Sequence, residues 1–281
     1  MSSDDIDAFT PDSCPTTSGM PMLGLGTWQN TDAQQCAESI QTALESGYRH
    51  IDTAQAYENE SAVGEGIARA AVDREEVFLA TKVWISNLAH GDVLETAKAS
   101  LDRLGVDYVD LLYVHWPARS YDPDPTLSAF STLYEEGLIR NVGVSNFLPE
   151  QLETALEVCD APILANQVEL HPLLPQSDIR TACEEHDVEV VAYSPLARGD
   201  VFEQPEIQAI AEKHGVSEAQ VSLAWLREKG ITAIPKATGS DHIRDNWRSL
   251  ALDLETADID RIDGIDERTR VVDPDFGPWN R

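Results

Sequence analysis

A carboxylate, a phenol, an ammonium and an imidazole stand at Asp52, Tyr57, Lys82 and His115 of this 281-residue chain. A tyrosine hydroxyl, with a pKa of about 10, is a poor proton donor near neutrality. An adjacent ammonium stabilises the phenolate and lowers that value, so Lys82 beside Tyr57 would make the phenol a usable general acid. Asp52 would keep the ammonium charged and oriented, and His115 could hold a carbonyl oxygen against the phenol by hydrogen bonding. Such a set protonates an oxygen on which negative charge develops, and hydride delivery to a carbonyl carbon creates that charge. Each residue also has a plain structural reading: a helix cap, a rim aromatic, a surface charge, a core histidine. Lysine usage weighs against that reading, because only 5 of the 20 basic residues are Lys and two of them, Lys82 and Lys236, end predicted strands. A chain that otherwise prefers Arg keeps Lys where a compact point charge on a flexible stem is needed.

These groups need a scaffold that brings distant segments to one place. Short apolar, β-rich runs at 50–52, 77–83, 109–115, 141–144, 163–167, 188–193 and 232–235 alternate with helical patterns, the signature of a parallel sheet with crossover helices. Ala33, Ala37, Ile40 and Leu44 form one helical stripe before Gly47, and Val93, Ala97, Leu101 and Leu104 another before Gly105. Ser217-Glu218-Ala219-Gln220 reads as a capping box opening a helix that ends near Gly230. With 24–27 added there are eight strands, in a length close to the ~250 residues of a closed (β/α)8 TIM barrel, an α/β fold. A doubly wound open sheet is the competitor, but its G-x-G-x-x-G fingerprint is missing: Gly24-Leu25-Gly26 runs on into Thr27-Trp28-Gln29. No linker-like stretch divides the chain, so one domain over 1–281 is expected. Its polar segment 1–18 is a candidate hairpin closing the barrel bottom, and 266–281 forms a short tail. Asp52, Lys82, His115, Ser145-Asn146, Gln167, Tyr193-Ser194 and Lys236 then fall in phase at the carboxyl ends of successive strands, the end of a barrel that carries chemistry.

Composition excludes several function classes. Fifty acidic residues against 20 basic ones leave a net charge of −30, a field that repels nucleic acid and anionic lipid. Acid spread along the whole chain suits a cytosol of molar salt, where the Debye length falls to about 3 Å, so a halophilic source is expected. No membrane-spanning run and no signal-peptide pattern is present, which indicates a cytoplasmic protein. Cys14, Cys36, Cys159 and Cys183 have neither disulfide-framework nor metal-ligand spacing. Of the seven histidines only His115 ends a strand, which argues against a metal-dependent barrel hydrolase, and no metal is expected.

Eight segments in order, spanning about residues 20–279, carry a resemblance. They are Gly24-Leu25-Gly26-Thr27-Trp28, Asp52-Thr53-Ala54-Gln55-Ala56-Tyr57-Glu58-Asn59-Glu60, Thr81-Lys82-Val83-Trp84, Val114-His115-Trp116-Pro117, Gly143-Val144-Ser145-Asn146-Phe147, Asn166-Gln167, Tyr193-Ser194-Pro195-Leu196 and Ile234-Pro235-Lys236. Together they resemble the aldo-keto reductases, and among these the short prokaryotic members that reduce diketogluconates, methylglyoxal and other small aldehydes. The resemblance implies Tyr57 as proton donor, Lys82 and Asp52 as its tuners, and His115 as the group orienting the carbonyl. It also implies Gly26, Thr27, Trp28 and Asp52 along the cofactor, with Ser145, Asn146 and Gln167 on the nicotinamide carboxamide and Tyr193 stacked on its ring. Ser194, Pro195 and Leu196 would line the pyrophosphate, and Lys236, Ala237, Thr238, His242, Asp245 and Asn246 the adenosine 2′-phosphate. Trp28, Trp84 and Trp116 would wall the substrate pocket around Tyr57 and His115.

One departure bears on the cofactor. The family pattern after Ile-Pro-Lys has Ser, then Arg six residues beyond the Lys, then Glu-Asn, whereas this chain has Ala237, His242 and Asp245-Asn246. Arg binds phosphate bidentately and His binds it less well. NADPH remains favoured through Lys236, Thr238 and Arg244, with NADH the second candidate. Short connections at 117–126 and 271–281 imply an open site taking small polar aldehydes, ketones or sugars. The resemblance further implies a monomer. The alternative activity class is a cofactor-sensing regulatory protein, like the potassium-channel β subunits on this scaffold, against which the intact catalytic four argue.

Overall fold

The computed structural model describes residues 10–280, so residues 1–9 of the N-terminal segment lie outside the described part. A hairpin of β1 (Thr16–Thr17) and β2 (Met20–Pro21) precedes β3 (Leu25–Gly26), α1 (Ala33–Glu45), β4 (His50–Asp52), α2 (Glu60–Arg69), β5 (Phe78–Val83) and α3 (His90–Leu104). The alternation continues with β6 (Leu111–Val114), α4 (Pro123–Glu135), β7 (Val142–Ser145), α5 (Pro149–Val158), β8 (Ile163–Glu169), α6 (Ser177–Glu185) and β9 (Glu189–Tyr193). Two helices, α7 (Pro205–His214) and α8 (Glu218–Glu228), separate β9 from β10 (Thr232–Ala233), and α9 (Ser240–Arg248) and α10 (Thr256–Asp263) follow.

Strands β3 to β10 pair in parallel, each with its neighbour in sequence. The first and last meet through parallel bridges Leu23 to Ala233 and Gly26 to Lys236, which closes a (β/α)8 barrel. Side chains alternate across a strand, and that period explains the polar phase seen in the sequence. Ala80, Leu111, Tyr113, Ala165, Val191 and Ile234 form the inner cluster, and Lys82, His115, Gln167, Tyr193 and Lys236 lie two residues beyond five of them, at the same inward parity. Gly143 is required there, because a Cβ at that position would come 2.5 Å from the Tyr113 ring. The hairpin adds Met20 to this inner cluster, and His50 Nδ1 at the start of β4 bonds Pro21 O at 3.0 Å, so it covers the amino ends of the strands.

Helices pack their apolar stripes on the outside of the barrel. Val93, Ala97, Leu101 and Leu104 are buried as their spacing requires, and Gly105 ends α3 with φ 68°. In α1 the stripe runs through Cys36 instead, with Ala33 exposed beside the Asp32 cap that accepts from Gln35 N–H. Ser217 caps α8 as expected, but the Gln220 side chain goes to Asp245 rather than back to the cap. Strand β8 extends two residues past the apolar run, to Glu169, because this acidic residue too faces inward and is buried. No helix among the described residues is long and apolar enough to cross a membrane.

Candidate active site

Asp52, Lys82 and His115 converge at the carboxyl ends of β4, β5 and β6, and Tyr57 reaches them from a short 3-10 turn, Gln55–Tyr57, just after β4. Lys82 Nζ donates to Asp52 Oδ1 and, at 2.9 Å, to Thr53 O, and both side chains of the ion pair are almost completely buried. Gln167 Nε2 donates to the other Asp52 oxygen at 2.9 Å. The ammonium lies 5.2 Å from the Tyr57 ring centroid, and the His115 ring stands edge-on to Tyr57 at 5.8 Å. The residues after Tyr57 brace this arrangement. Asn59 accepts from Thr53 Oγ1 and donates to Thr27 O and Asn30 O, tying the Tyr57 turn to the loop after β3. Glu60, buried, accepts from Thr81 Oγ1 next to Lys82 and twice from Arg103.

The electrostatics correct one expectation. Burial, then the Asp52 carboxylate and Tyr193, raise the Tyr57 hydroxyl well above its usual value, so Lys82 does not pull it down as the sequence suggested. The ammonium is committed to Asp52 and the Thr53 carbonyl, and the carboxylate it neutralises sits close enough to oppose a phenolate. Tyr57 is therefore a phenol that keeps its proton until a basic oxygen appears beside it. Burial also lowers Lys82, with Asp52 and Glu60 acting in the opposite direction. It holds His115 well below 6.5, helped by Lys82, so the imidazole is neutral at pH 7. His115 Nδ1 is buried without a hydrogen-bond partner.

A cleft of about 880 Å³ runs from Asp52, Tyr57 and His115 to the end of β10, with Lys82 buried behind its wall. Gly26, Thr27, Trp28, Asp52, Tyr57, Trp84, His115, Trp116, Ser145, Asn146, Gln167, Tyr193, Ser194, Pro195, Leu196, Lys236, His242, Asp245 and Asn246 all border it. Ala237 is buried in the core instead, and Thr238 does not reach the cavity wall. Asp245 has both oxygens engaged, by Ser217 Oγ and Gln220 Nε2 at 2.6 Å each, which makes it a brace for the cleft's far end. Ser145, Asn146 and Tyr193 form a chain in which Tyr193 OH donates to Asn146 Oδ1 and Asn146 Nδ2 to Ser145 Oγ. Asn146 adopts a left-handed backbone, φ 63°, which Asn tolerates better than most residues and which turns its amide back over the barrel.

Does this cleft suit a dinucleotide? Four of the five lysines have a carboxylate within 4 Å, and among the described residues Lys236 alone does not. It stands exposed at one end of the cleft with His242, beside an α9 N-terminus that no side chain caps. In a chain of net charge −30 an unpaired cation beside free helix N–H groups fits a phosphate. Amide and hydroxyl groups at Ser145, Asn146 and Gln167 fit a carboxamide, and the partly exposed Tyr193 ring fits a flat heterocycle. The residues present match a nicotinamide dinucleotide.

Several lining residues escaped the sequence reading. Arg198, in a left-handed conformation two residues after Leu196, reaches across the cleft to 4.7 Å from the Trp28 ring. Val272, Pro274 and Phe276 of the tail also line the cleft. Phe276 packs edge-on against Trp84 at 6.2 Å and Trp116 at 5.4 Å, and Trp279 lies 5.6 Å from Trp116. The tail is short, yet its residues form part of the cleft wall, which its length alone did not suggest. Two aromatics in the polar stretch Asp273-Pro274-Asp275-Phe276-Gly277-Pro278-Trp279 were the available signal. Among the described residues no group of three or more His, Cys, Asp or Glu side chains is placed to hold a metal ion.

Comparison with known proteins gives a consistent result. The family model described as "Aldo/keto reductase family" matches residues 22–267. A 9,11-endoperoxide prostaglandin H2 reductase of Trypanosoma cruzi is 40% identical over 260 residues, covering 91% of this chain and 92% of that protein. A glyoxal reductase of Bacillus subtilis is 38% identical over 252 residues, covering 90% and 91%. A solved structure described as a putative 2,5-diketo-D-gluconic acid reductase B superposes with a TM-score of 0.89 at 32% identity, covering 94% of this chain and 95% of that one.

Proposed function

Because the chain belongs to the aldo/keto reductase family, and so is an NAD(P)-dependent oxidoreductase acting on carbonyl groups, we propose that Tyr57 is its proton donor and NADPH its preferred cofactor. A reduced nicotinamide supplies the hydride. Ser145, Asn146 and Gln167 would hold its carboxamide, and the Tyr193 ring would set the face presented to the substrate. His115, neutral, donates a hydrogen bond to the carbonyl oxygen and brings it to the Tyr57 hydroxyl. As negative charge builds on that oxygen it becomes a stronger base than the phenolate, and Tyr57 gives up its proton. Lys82 then lies beside the phenolate charge, and Asp52 keeps Lys82 charged and in place. The observation that carries the proposal is the buried Lys82–Asp52 pair under Tyr57, at one end of a cleft whose other end holds the unpaired Lys236.

The substrate end of the cleft has a distinct character. Trp28, Trp84, Trp116 and Phe276 wall it with Val272 and Pro274, and the arginine that borders it, Arg198, stacks over the Trp28 ring at 4.7 Å. A carbonyl compound with an apolar or aromatic body suits that wall. Under the same proposal the protein works as a monomer in a salt-rich cytoplasm. Among the described residues Tyr134 is the one large hydrophobic side chain that is exposed, so no apolar face asks for a partner.

The test is NADPH oxidation in the presence of methylglyoxal or an aromatic aldehyde, for the protein as it stands and for Tyr57→Phe. Loss of turnover by about 100-fold or more, with NADPH affinity retained, supports the assignment; a Tyr57→Phe protein that reduces aldehydes normally refutes it.

A further inference from the structure

Glu169 ends β8 at an inward position two residues beyond Gln167 and is fully buried, but no step of carbonyl reduction uses it. Its carboxyl oxygens face the backbone of the C-terminal tail. Val271 N–H donates to Oε1 at 2.7 Å and Val272 N–H to Oε2 at 2.8 Å. His171 Nε2, also fully buried, lies 2.9 Å from Oε1, and Gln176 Nε2 donates to the Glu169 carbonyl at 2.9 Å.

From residue 271 onward, every other hydrogen bond among the described residues stays inside the tail. Trp279 Nε1 and Asn280 Nδ2 donate to Asp273 Oδ1, Asn280 Nδ2 also to Pro274 O, Gly277 N–H to Pro274 O and Asn280 N–H to Gly277 O. From residue 271 the tail is thus a self-bonded turn whose hydrogen bonds to the barrel run through one carboxyl group, while just upstream Thr269 N–H donates to Leu173 O at 3.0 Å. Beyond that attachment it is held over the cleft by the ring contacts of Phe276 and Trp279, by Arg270 stacked 3.7 Å from the Trp279 ring, and by packing of Val271 and Val272 on apolar clusters of the barrel.

We propose that Glu169 is a positioning residue for substrate selection. By gripping Val271 and Val272 it presents Val272, Pro274 and Phe276 as the far wall of the carbonyl pocket, and so sets a preference for carbonyl compounds with an aromatic or bulky apolar body, without touching the reacting atoms. The proposal rests on the reductase reading. A two-carbon or three-carbon carbonyl needs only Tyr57 and His115, whereas an aryl aldehyde also needs the tail.

Glu169→Gln keeps the size of the side chain but replaces one acceptor by a donor facing a backbone N–H. Losing a charge-assisted bond of this kind corresponds to about 10- to 100-fold in an equilibrium. The expected result is a rise of about that factor in KM for 4-nitrobenzaldehyde, with KM for methylglyoxal and Kd for NADPH within about twofold of the unaltered protein. Tryptic cleavage after Arg270, one residue before the grip, should accelerate, because cleavage follows the opened population. Phe276→Ala should raise the aromatic KM as well, and the double variant should add little to either single change. If Glu169→Gln does not fold, Val271→Pro removes one donor and leaves the buried carboxyl and the pocket-wall side chains in place, with the same aromatic-specific outcome expected.

Unchanged aromatic KM and unchanged cleavage in these variants would overturn the proposal, as would an equal rise for both aldehydes and NADPH, which would mean a loosened barrel. Absence of turnover in the unaltered protein would instead refute the reductase reading, and with it selection by Glu169.

Discussion

Replacing Asp52 by Asn tests the ion pair on which the site is built. Asp52 accepts from Lys82 through one oxygen and from Gln167 through the other, and both side chains of the pair are almost fully buried. An Asn there must turn its NH2 toward either the ammonium or the Gln167 amide, so one donor faces another. Lys82 would keep the Thr53 carbonyl and the more distant Glu60. Breaking a buried pair from one side costs about 3–5 kcal/mol. The cost has a ceiling, because Lys82 can lose its proton instead: neutralising a lysine with a solution pKa of about 10.4 costs about 4.6 kcal/mol at pH 7 and about 1.9 kcal/mol at pH 9. Asp52→Asn should therefore destabilise the protein by about 3–4.6 kcal/mol at pH 7 and by no more than about 2 kcal/mol at pH 9. The sign follows from linkage. The variant's folded state binds the Lys82 proton less readily than the unfolded chain does, so its stability rises with pH up to the unfolded lysine value. Urea unfolding in concentrated KCl at pH 7, 8 and 9 measures this, with surface charge screened throughout. A loss equal at pH 7 and pH 9, or below about 1 kcal/mol at pH 7, would show that the pair is not the buried, mutually dependent unit described above.

Lys236→Met should weaken NADPH binding by about 5- to 30-fold, the effect of one partly exposed charge on a phosphate, and leave NADH affinity unchanged; equal losses for both cofactors, measured by fluorescence titration, would remove the 2′-phosphate role. Self-repulsion of thirty excess negative charges should make the unfolding midpoint rise with KCl concentration, and full stability in dilute buffer would refute the halophilic assignment. His50 and His115 both have pKa values lowered by burial, so the unfolded chain takes up protons that the folded one refuses. Stability should accordingly fall as pH drops below about 6.5, by up to about 1.4 kcal/mol per pH unit for each group, and a flat profile between pH 6.5 and 5 by urea titration would contradict it.

How far does a single sequence reach here? Period and phase are local properties of the chain, and they determined most of the architecture. Apolar runs every few tens of residues, helical stripes ending at Gly47 and Gly105, and polar residues at matching phase in seven of the strands suffice for a closed barrel with one chemical end. Lysine scarcity picked out Lys82 and Lys236, and the structure supplies the reason: one is the buried partner of Asp52, the other, among the described residues, the lysine left without a carboxylate within 4 Å.

Direction of titration was beyond that reading, because it depends on solvent exclusion and on which charge lies nearer. Spacing suggests Lys82 against Tyr57, whereas the folded site sets burial and the Asp52 carboxylate against the phenolate and reverses the sign. The tail was illegible for a different reason. Its length says short and open, but its first residues are held by two N–H groups meeting a carboxyl about a hundred positions earlier in the chain, and its rings by aromatic residues of other loops. Arg198 reaching Trp28 is likewise a contact between loops that no periodicity connects. Sequence determined which strands form and which residues face inward, since those follow from neighbours in the chain. Only the tertiary structure decided how tightly the phenol holds its proton and what covers the pocket, since both arise from groups that folding alone brings together.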